Sequence, residues 1–274
     1  MILTTTAESA PGALASHTLI LTQRLIRRWG RDPLTLVQSL VFPTGLLVLL
    51  NLALGKQVTE YALGMKLYGP GYDSLYSTVP MAAIVGVMAG SAAGAVAMGR
   101  EREDGLLSRM WVLPIHRASG LLARVLAEGV RIVLGTVLIV IVAHLIGFRF
   151  QQGPFAALVF MAVPLMFGLA FATMVTAMAV FSAKATMVET LSLVSSLLMF
   201  FSTGFVPLEG FPEFARGFVA YQPLTTATDA MRGLAFGGPV AEPLLMTIGW
   251  CALVTSIFAI PAGYGYGRAS RAGR

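Results

Sequence analysis

The amino-acid sequence predicts an all-α polytopic membrane protein with six spanning helices. Three observations carry that expectation. Hydrophobic residues make up 56% of the 274-residue chain and charged residues only 12%, about half the share of charge in an ordinary soluble domain. Mean hydropathy is +0.78. The apolar residues fall in six runs of about 20, the length that crosses a hydrocarbon core. The net charge of +6 would suit nucleic acid. The basic residues, however, gather at the ends of the apolar runs, which is the positive-inside pattern, so no nucleic-acid partner is expected.

Residues 1–15 lack a basic stretch followed by an apolar core, so no cleaved signal peptide is expected. An amphipathic helix is expected over residues 16–31. Arg24, Arg27, Arg28 and Arg31 fall at i, i+3, i+4 and i+7, while Leu21, Leu25, Ile26 and Trp29 lie on the other face and only Ile20 breaks the pattern. A basic face opposite a Trp/Leu face suits the membrane interface; a plain basic flank is the simpler alternative.

The first span is expected over residues 34–54 with Pro43 in its middle; at 1.5 Å per residue it reaches about 31 Å. The second, 79–98, is rich in small residues and carries Gly86, Gly90 and Gly94, a double G-x-x-x-G that allows close helix approach within or between subunits. The third, 125–148, has Glu128 and Arg131 in its first turns, placed i, i+3 to form an ion pair near the cytoplasmic end. The fourth, 155–181, contains Pro164; the fifth is 187–205; the sixth, 244–264, contains Pro261. Interior prolines imply kinks whose freed carbonyls neighbouring helices satisfy. A single transmembrane domain over 34–266 is thus expected between an N-terminal segment, 1–33, and a basic tail, 267–274.

Loop charge sets the orientation. With a cytoplasmic N-terminus, the inner side holds Arg24, Arg27, Arg28, Arg31, Arg100, Arg102, Arg109, Arg117, Arg124, Arg131, Lys184, Arg268, Arg271 and Arg274, and the outer side Lys56, Lys66, Arg149, Arg216 and Arg232. A bias of 14 to 5 places both termini in the cytoplasm.

Two connections stand out. Residues 99–124 form a charged, helix-prone block between spans two and three, read as a cytoplasmic lever. Within it Leu106, Leu107, Met110 and Trp111 make an apolar face, flanked by Asp104, Gly105, Arg109 and Arg117, and Pro114 ends the helix. A short helix of this kind suits a groove on another protein; a helix lying on lipid heads is the alternative. Residues 203–242, on the outer side, are punctuated by Pro207, Pro212, Pro223 and Pro239 and kept apolar by Phe211, Phe214, Phe218 and Tyr221. Too apolar for water and too broken to span, this stretch is expected to form short re-entrant helices.

Catalytic motifs are absent. There is no G-x-x-x-x-G-K-[ST], G-x-S-x-G or H-E-x-x-H. His17, His116 and His144 are far apart, and Cys251 is the single cysteine, so no metal site and no catalytic residue is expected. Glu128, Arg131 and Glu189 are the few ionisable groups inside the spans, all near cytoplasmic ends, which argues against an ion-coupled carrier. Energy from a partner is the better reading. Phe160, Met161, Met166, Phe167, Phe171, Met199, Phe200 and Phe201 offer an adaptable apolar wall for cargo, with helix packing the more ordinary role.

Residues 100–128 and 200–234 sharpen this picture. RERE-D-G-LLSRMWVLPIHRASGLLARVLAE resembles the loop between the second and third spans of type-2 ABC exporter permeases. FFSTGFVPLEGFPEFARGFVAYQPLTTATDAMRGL, with Gly204, Pro207, Pro212, Gln222, Pro223, Ala230, Arg232 and Gly233, resembles the same class after its fifth span. The likeness is to the daunorubicin-resistance type of actinobacteria. It implies a connecting helix over 16–31, a coupling helix within 104–117 that enters a cleft on a partner ATPase, and outer re-entrant helices over 207–233. It also implies a plasma-membrane complex with that ATPase, which holds ATP and Mg, so that this chain has no cofactor of its own. A second permease chain is implied, a heterodimer more readily than a homodimer. The implied cargo is hydrophobic or amphipathic, an anthracycline-like drug or a cell-envelope lipid. A membrane-embedded transferase and a non-transporting assembly subunit are the competing readings.

Overall fold

The computed structural model describes residues 12–103, 116, 119–181 and 186–271. Among them the chain is helical, without strands. Helix α1 spans Ala13–Trp29. After Asp32, which caps the next helix by accepting from the Leu34 and Thr35 amides, α2 runs Pro33–Gly64. Then follow α3 (Leu75–Glu103), α4 (Ser119–Leu145), α5 (Gly153–Phe181), α6 (Thr186–Phe200), α7 (Glu213–Tyr221), α8 (Pro223–Ala235) and α9 (Ala241–Arg271).

Five of these helices are long and apolar enough to span a membrane among the described residues: α2, α3, α4, α5 and α9. Their burial sorts them. In the most apolar stretch of α3, 67% of residues are buried, against 11% in α9 and 17% in α2. The helices α3 and α5 therefore form the core, packed on each other and on α4, α8 and, for α5, α9. The outward faces of α2, α4, α6 and α9 carry Leu52, Leu145, Leu197 and Ile260, all exposed, a coat that suits lipid and not water.

Span boundaries differ from expectation where local chemistry decides them. The first helix continues ten residues past Leu54 because Lys56 to Leu63 are compatible with a helix; Lys66, at φ 54°, turns the chain, and Leu67 donates back to the Ala62 carbonyl. The helix of the expected third span, α4, stops at Leu145, three residues early: Gly147 takes φ 116° and Phe148 donates to the Ala143 carbonyl, a glycine-ended cap. The expected fifth span, 187–205, is a 15-residue helix over its described part. It ends at Phe200 because side chains collect the following carbonyls. Gln222 Nε2 donates to the Phe201 carbonyl, and Arg232 Nη2 to that of Thr203 at 2.8 Å.

Pro43 distorts its helix, while Pro164 and Pro261 lie inside α5 and α9. Pro43 lacks an N–H for the Ser39 carbonyl; the helix widens into a π-turn over Val37–Val41, and the Ser39 carbonyl lies against Gly135 of α4. Pro43 itself fills the space at Gly86, where a Cβ would come within 2.7 Å of its ring. At the far end of the bundle an aromatic cluster joins loops and helices: Tyr68 stacks on Tyr72 at 4.1 Å, and Phe236 meets Tyr72 and Tyr76 at 5.4 and 4.8 Å.

Candidate functional site

The ends of α1 and α3 and the starts of α2 and α4 meet at one end of the bundle. Between them, and bounded deeper by α5, lies a cavity of about 320 Å³. Two charged clusters line it. At the rim Glu101, 7% exposed, accepts one guanidinium on each carboxylate oxygen, from Arg28 of α1 and Arg124 of α4. Three separate helices are thereby tied at one carboxylate. The Thr22 hydroxyl adds a contact to the Ala123 carbonyl at 3.4 Å, and the His116 amide donates to His17 Nδ1 at 3.2 Å.

The second cluster is deeper. Arg131 lies twelve residues into α4, about 18 Å along its axis. Its Nε and Nη2 donate to the two oxygens of Glu128 at 2.9 and 2.5 Å, and Nη2 also reaches Ser91 Oγ at 3.2 Å and the Val87 carbonyl at 3.4 Å. Ser91 completes the ring by donating to Glu128 at 2.5 Å. The guanidinium occupies the space that Gly90 leaves open. The expected ion pair near the cytoplasmic end is thus a four-group network inside the helix bundle, more deeply set than a local surface pair. It joins Gly90 and Gly94, expected only as a packing stripe, to the same site: Gly86 receives Pro43, Gly90 receives Arg131, and Gly94 lies nearest to Glu128.

The other sequence-derived residues fall in three places. Asp104, Gly105, Leu106, Leu107, Arg109, Met110, Trp111, Pro114 and Arg117 lie outside the described residues. On α1, Arg24, Arg27 and Arg28 are exposed, Trp29 lines the cavity, and the buried side consists of Ala13, Thr18 and Thr22, packed on α4; Arg31 follows the helix, exposed. At the opposite end Pro207 and Pro212 precede short helices, and extended Gln222 is followed by Pro223, the first residue of α8. Eleven of the thirteen residues of α8 are buried. Among them Arg232 donates to Ser77 Oγ (2.9 Å), Tyr68 Oη (2.7 Å) and the Thr203 carbonyl (2.8 Å), and pairs with Asp229 (2.9 Å). Burial pushes the Tyr68 hydroxyl up to about 12, the Arg232 charge opposing it only in part.

The wall of Met and Phe named as a surface for cargo is mostly core: Phe160, Phe167, Phe171 and Met199 are buried, Met161 and Met166 pack against them, and only Phe200 and Phe201 are exposed. Ser91, Glu101, Ser77 and Tyr68 are the site residues that sequence reading passed over. An i, i+3 pair in an apolar helix signals that Arg131 needs partners, but those partners come from another helix. Among the described residues no three His, Cys, Asp or Glu side chains gather to hold a metal.

Comparison with known proteins places the chain in a family. A family described as ABC-2 type transporter matches residues 16–236. Two proteins, each named "Probable doxorubicin resistance ABC transporter permease protein DrrC" and drawn from two strains of Mycobacterium tuberculosis, are 40% identical over 265 residues, 96% of this chain and 93% of theirs. With five spanning-length apolar helices and a family match over most of its length, the chain is an integral membrane permease that belongs to the ABC-2 type transporter family.

Proposed function

We propose that this chain is the transmembrane subunit of an ATP-driven exporter that moves hydrophobic or amphipathic cargo outward across the plasma membrane. The drug arm of the cargo class, an anthracycline, follows the doxorubicin resistance in the relatives' name; the other arm, an envelope lipid, follows the family resemblance. Both termini are cytoplasmic in this reading, which the 14 to 5 charge bias supports. The cavity then opens toward the cytoplasm, where cargo is taken up. The helix α6 with the turns after it makes the sixth crossing, and α7 and α8 are the re-entrant pair at the outer face. ATP and Mg reside on a partner ATPase, and a second permease chain, a related one, completes the pathway.

The observation that carries the reading is the tie at Glu101. Residues 104–117, the proposed coupling helix with its Leu106, Leu107, Met110 and Trp111 face, are flanked by Glu101 on one side and Arg124 on the other; Arg124 donates to Glu101, and Glu101 also accepts from Arg28. A push on that helix reaches α1, α3 and α4 together. Arg131 and Glu128 pass it on into the bundle, because their network links α4 to α3 halfway along. ATP binding closes the partner domains, the coupling helices move, the permease pair opens outward, and hydrolysis resets it.

Co-expression with a candidate partner ATPase of the same transporter class tests this. The two should purify together and hydrolyse ATP, and inverted vesicles should accumulate a fluorescent anthracycline with ATP. Replacing residues 105–114 by a Gly/Ser linker should leave hydrolysis but abolish accumulation. Accumulation that survives the replacement would sink the lever, and purification with no ATPase would sink the subunit assignment.

A further inference from the structure

The cavity of about 320 Å³ has the size of a small-molecule pocket, and its charges cancel within its own wall. Arg28, Arg124 and Arg131 line it, and so do Asp32, Glu101 and Glu128. Arg28 and Arg124 donate to Glu101, Arg131 donates to Glu128, and Asp32 accepts from the Leu34 and Thr35 amides. Three cations against three anions leave no net charge with which to choose a ligand by sign. Uncharged polar groups are present as well. Thr35 and Thr173 give their hydroxyl protons to Asp32 and the Leu169 carbonyl, and each oxygen keeps lone pairs that can accept. What is left for the cavity to read is shape. Its deep end is closed by packing: the Arg131 guanidinium fills the space at Gly90, and a Cβ on Gly168 would overlap Val87 and Ile132. Its rim, at Glu101, is about 16 Å further along α3 than Gly90. The space between is therefore a slot, deep for its volume.

Small residues face the slot from two helices, Gly94, Ala95 and Ala97 on α3 and Ala172 on α5. Gly94 is the informative one. A glycine inside a helix is less stable than an alanine, and a close neighbour usually explains it. Gly86 receives Pro43 and Gly90 receives Arg131, but a Cβ on Gly94 would meet nothing among the described residues nearer than Glu128 Oε2, at 4.0 Å. The room at Gly94 serves something other than helix packing. We propose that the cavity selects by girth and not by charge: it takes a flat, elongated apolar ring system, and Gly94 and Ala172 set the width that enters. The ring body lies between α3 and α5. An N–H or O–H on its edge meets the threonine oxygens, and a charged group of either sign stays at the rim, where Arg28 is half exposed beside Glu101. The inference deepens the permease reading and rests on it for the ligand's later passage; binding itself needs neither ATP nor partner.

Fluorescence polarisation of proflavine, a flat three-ring cation, on the full-length chain in lipid nanodiscs tests it, with empty discs as background. Proflavine should bind. Anthracene-2-carboxylate, three flat rings bearing an anion, should displace it with an affinity within about threefold, short of the tenfold that one charge-assisted hydrogen bond would give. Crystal violet, a propeller-shaped cation too thick for the slot, should compete at least about tenfold less well. Gly94→Leu, which narrows the slot from a position where a Cβ meets no close neighbour, should weaken proflavine about tenfold or more. Ala172→Leu should do the same from α5, and Leu169→Ala, which widens the slot, should bring crystal violet closer to proflavine. Size exclusion shows first that each variant is folded and monodisperse. No binding of proflavine, a tenfold preference for either charge, crystal violet bound as tightly as proflavine, or unchanged binding in Gly94→Leu would each overturn the inference. Export by a complex whose permease chain binds no proflavine would remove the site and leave the permease reading. Binding as expected by a chain that captures no ATPase would do the reverse.

Discussion

Gly90→Ala is the most informative single change. In a helix interior alanine is favoured over glycine by about 0.5–1 kcal/mol, so with nothing beside it the substitution would stabilise α3. Here the new Cβ would overlap Arg131 Nη1 and Cζ and lie 3.0 Å from Nη2. The guanidinium has to leave, giving up Ser91 at 3.2 Å and the Val87 carbonyl at 3.4 Å and loosening its two bonds to Glu128. Charged hydrogen bonds contribute about 1.5–3 kcal/mol each, and stranding a buried partner costs about 3–5 kcal/mol. Set against the helix gain, a net loss of about 2–4 kcal/mol is expected, which at about 2–4 °C per kcal/mol lowers the apparent Tm by roughly 5–15 °C. Gly94→Ala is the control: its Cβ would meet only Glu128 Oε2, at 4.0 Å, so stability should hold or rise. Heating purified variants in detergent and counting the monodisperse fraction by size exclusion reads both. In an Arg131→Ala background the Gly90→Ala penalty should nearly vanish, because the clash has lost its object. Equal tolerance of the two alanines, or full additivity with Arg131→Ala, would refute the packing argument.

Three further outcomes follow from the same contacts. Arg232→Ala removes donors to Ser77, Tyr68 and the Thr203 carbonyl and strands Asp229; a loss of about 3–5 kcal/mol is expected, read as a collapse of folded yield, while Ser77→Ala should cost about 1 kcal/mol. Glu101→Gln weakens the tie on α1, so trypsin should cut at the exposed Arg24 and Arg27 faster than in the parent chain, with the fragments read by mass spectrometry. Tyr68 is held protonated by burial, its pKa raised from 10.0 to about 12. A group whose pKa is higher folded than unfolded stabilises fully below the unfolded value and loses that contribution as pH climbs through the folded one. Apparent Tm should therefore fall between pH 10 and 12, less steeply in Tyr68→Phe, and ultraviolet titration of that variant should lack one late tyrosinate.

What was legible from residue order follows from what one helix can say about itself. The apolar runs gave α3, α4, α5 and α9 to within a few residues at most ends, since length and hydropathy are properties of a single segment. Ends controlled by neighbours were missed. Phe201–Phe205 leaves the helix because Gln222 and Arg232, some twenty to thirty residues later, take its carbonyls. The basic face of α1 was legible, yet the side that packs is the small one, Ala13, Thr18 and Thr22. Leu19 and Ile20 stay exposed, because α1 packs small against α4 to bring Arg28 to Glu101.

The candidate site divides the same way. Gly86, Gly90 and Gly94 were visible as a stripe, and Glu128 with Arg131 as a pair, each by spacing along one helix. That Gly90 in this stripe admits the guanidinium, and Gly86 the ring of Pro43, was not visible, because the partners lie on separate segments whose register comes from packing alone. The sequence by itself determined a membrane protein, its apolar segments and its kinship, since composition and periodicity are local and survive without neighbours. Only the tertiary structure decided that Arg28, Glu101 and Arg124 close one rim and that Arg131, seated against Gly90, lines the cavity below it. A buried charge is tolerated only where several helices converge to satisfy it, and convergence is a property of the fold.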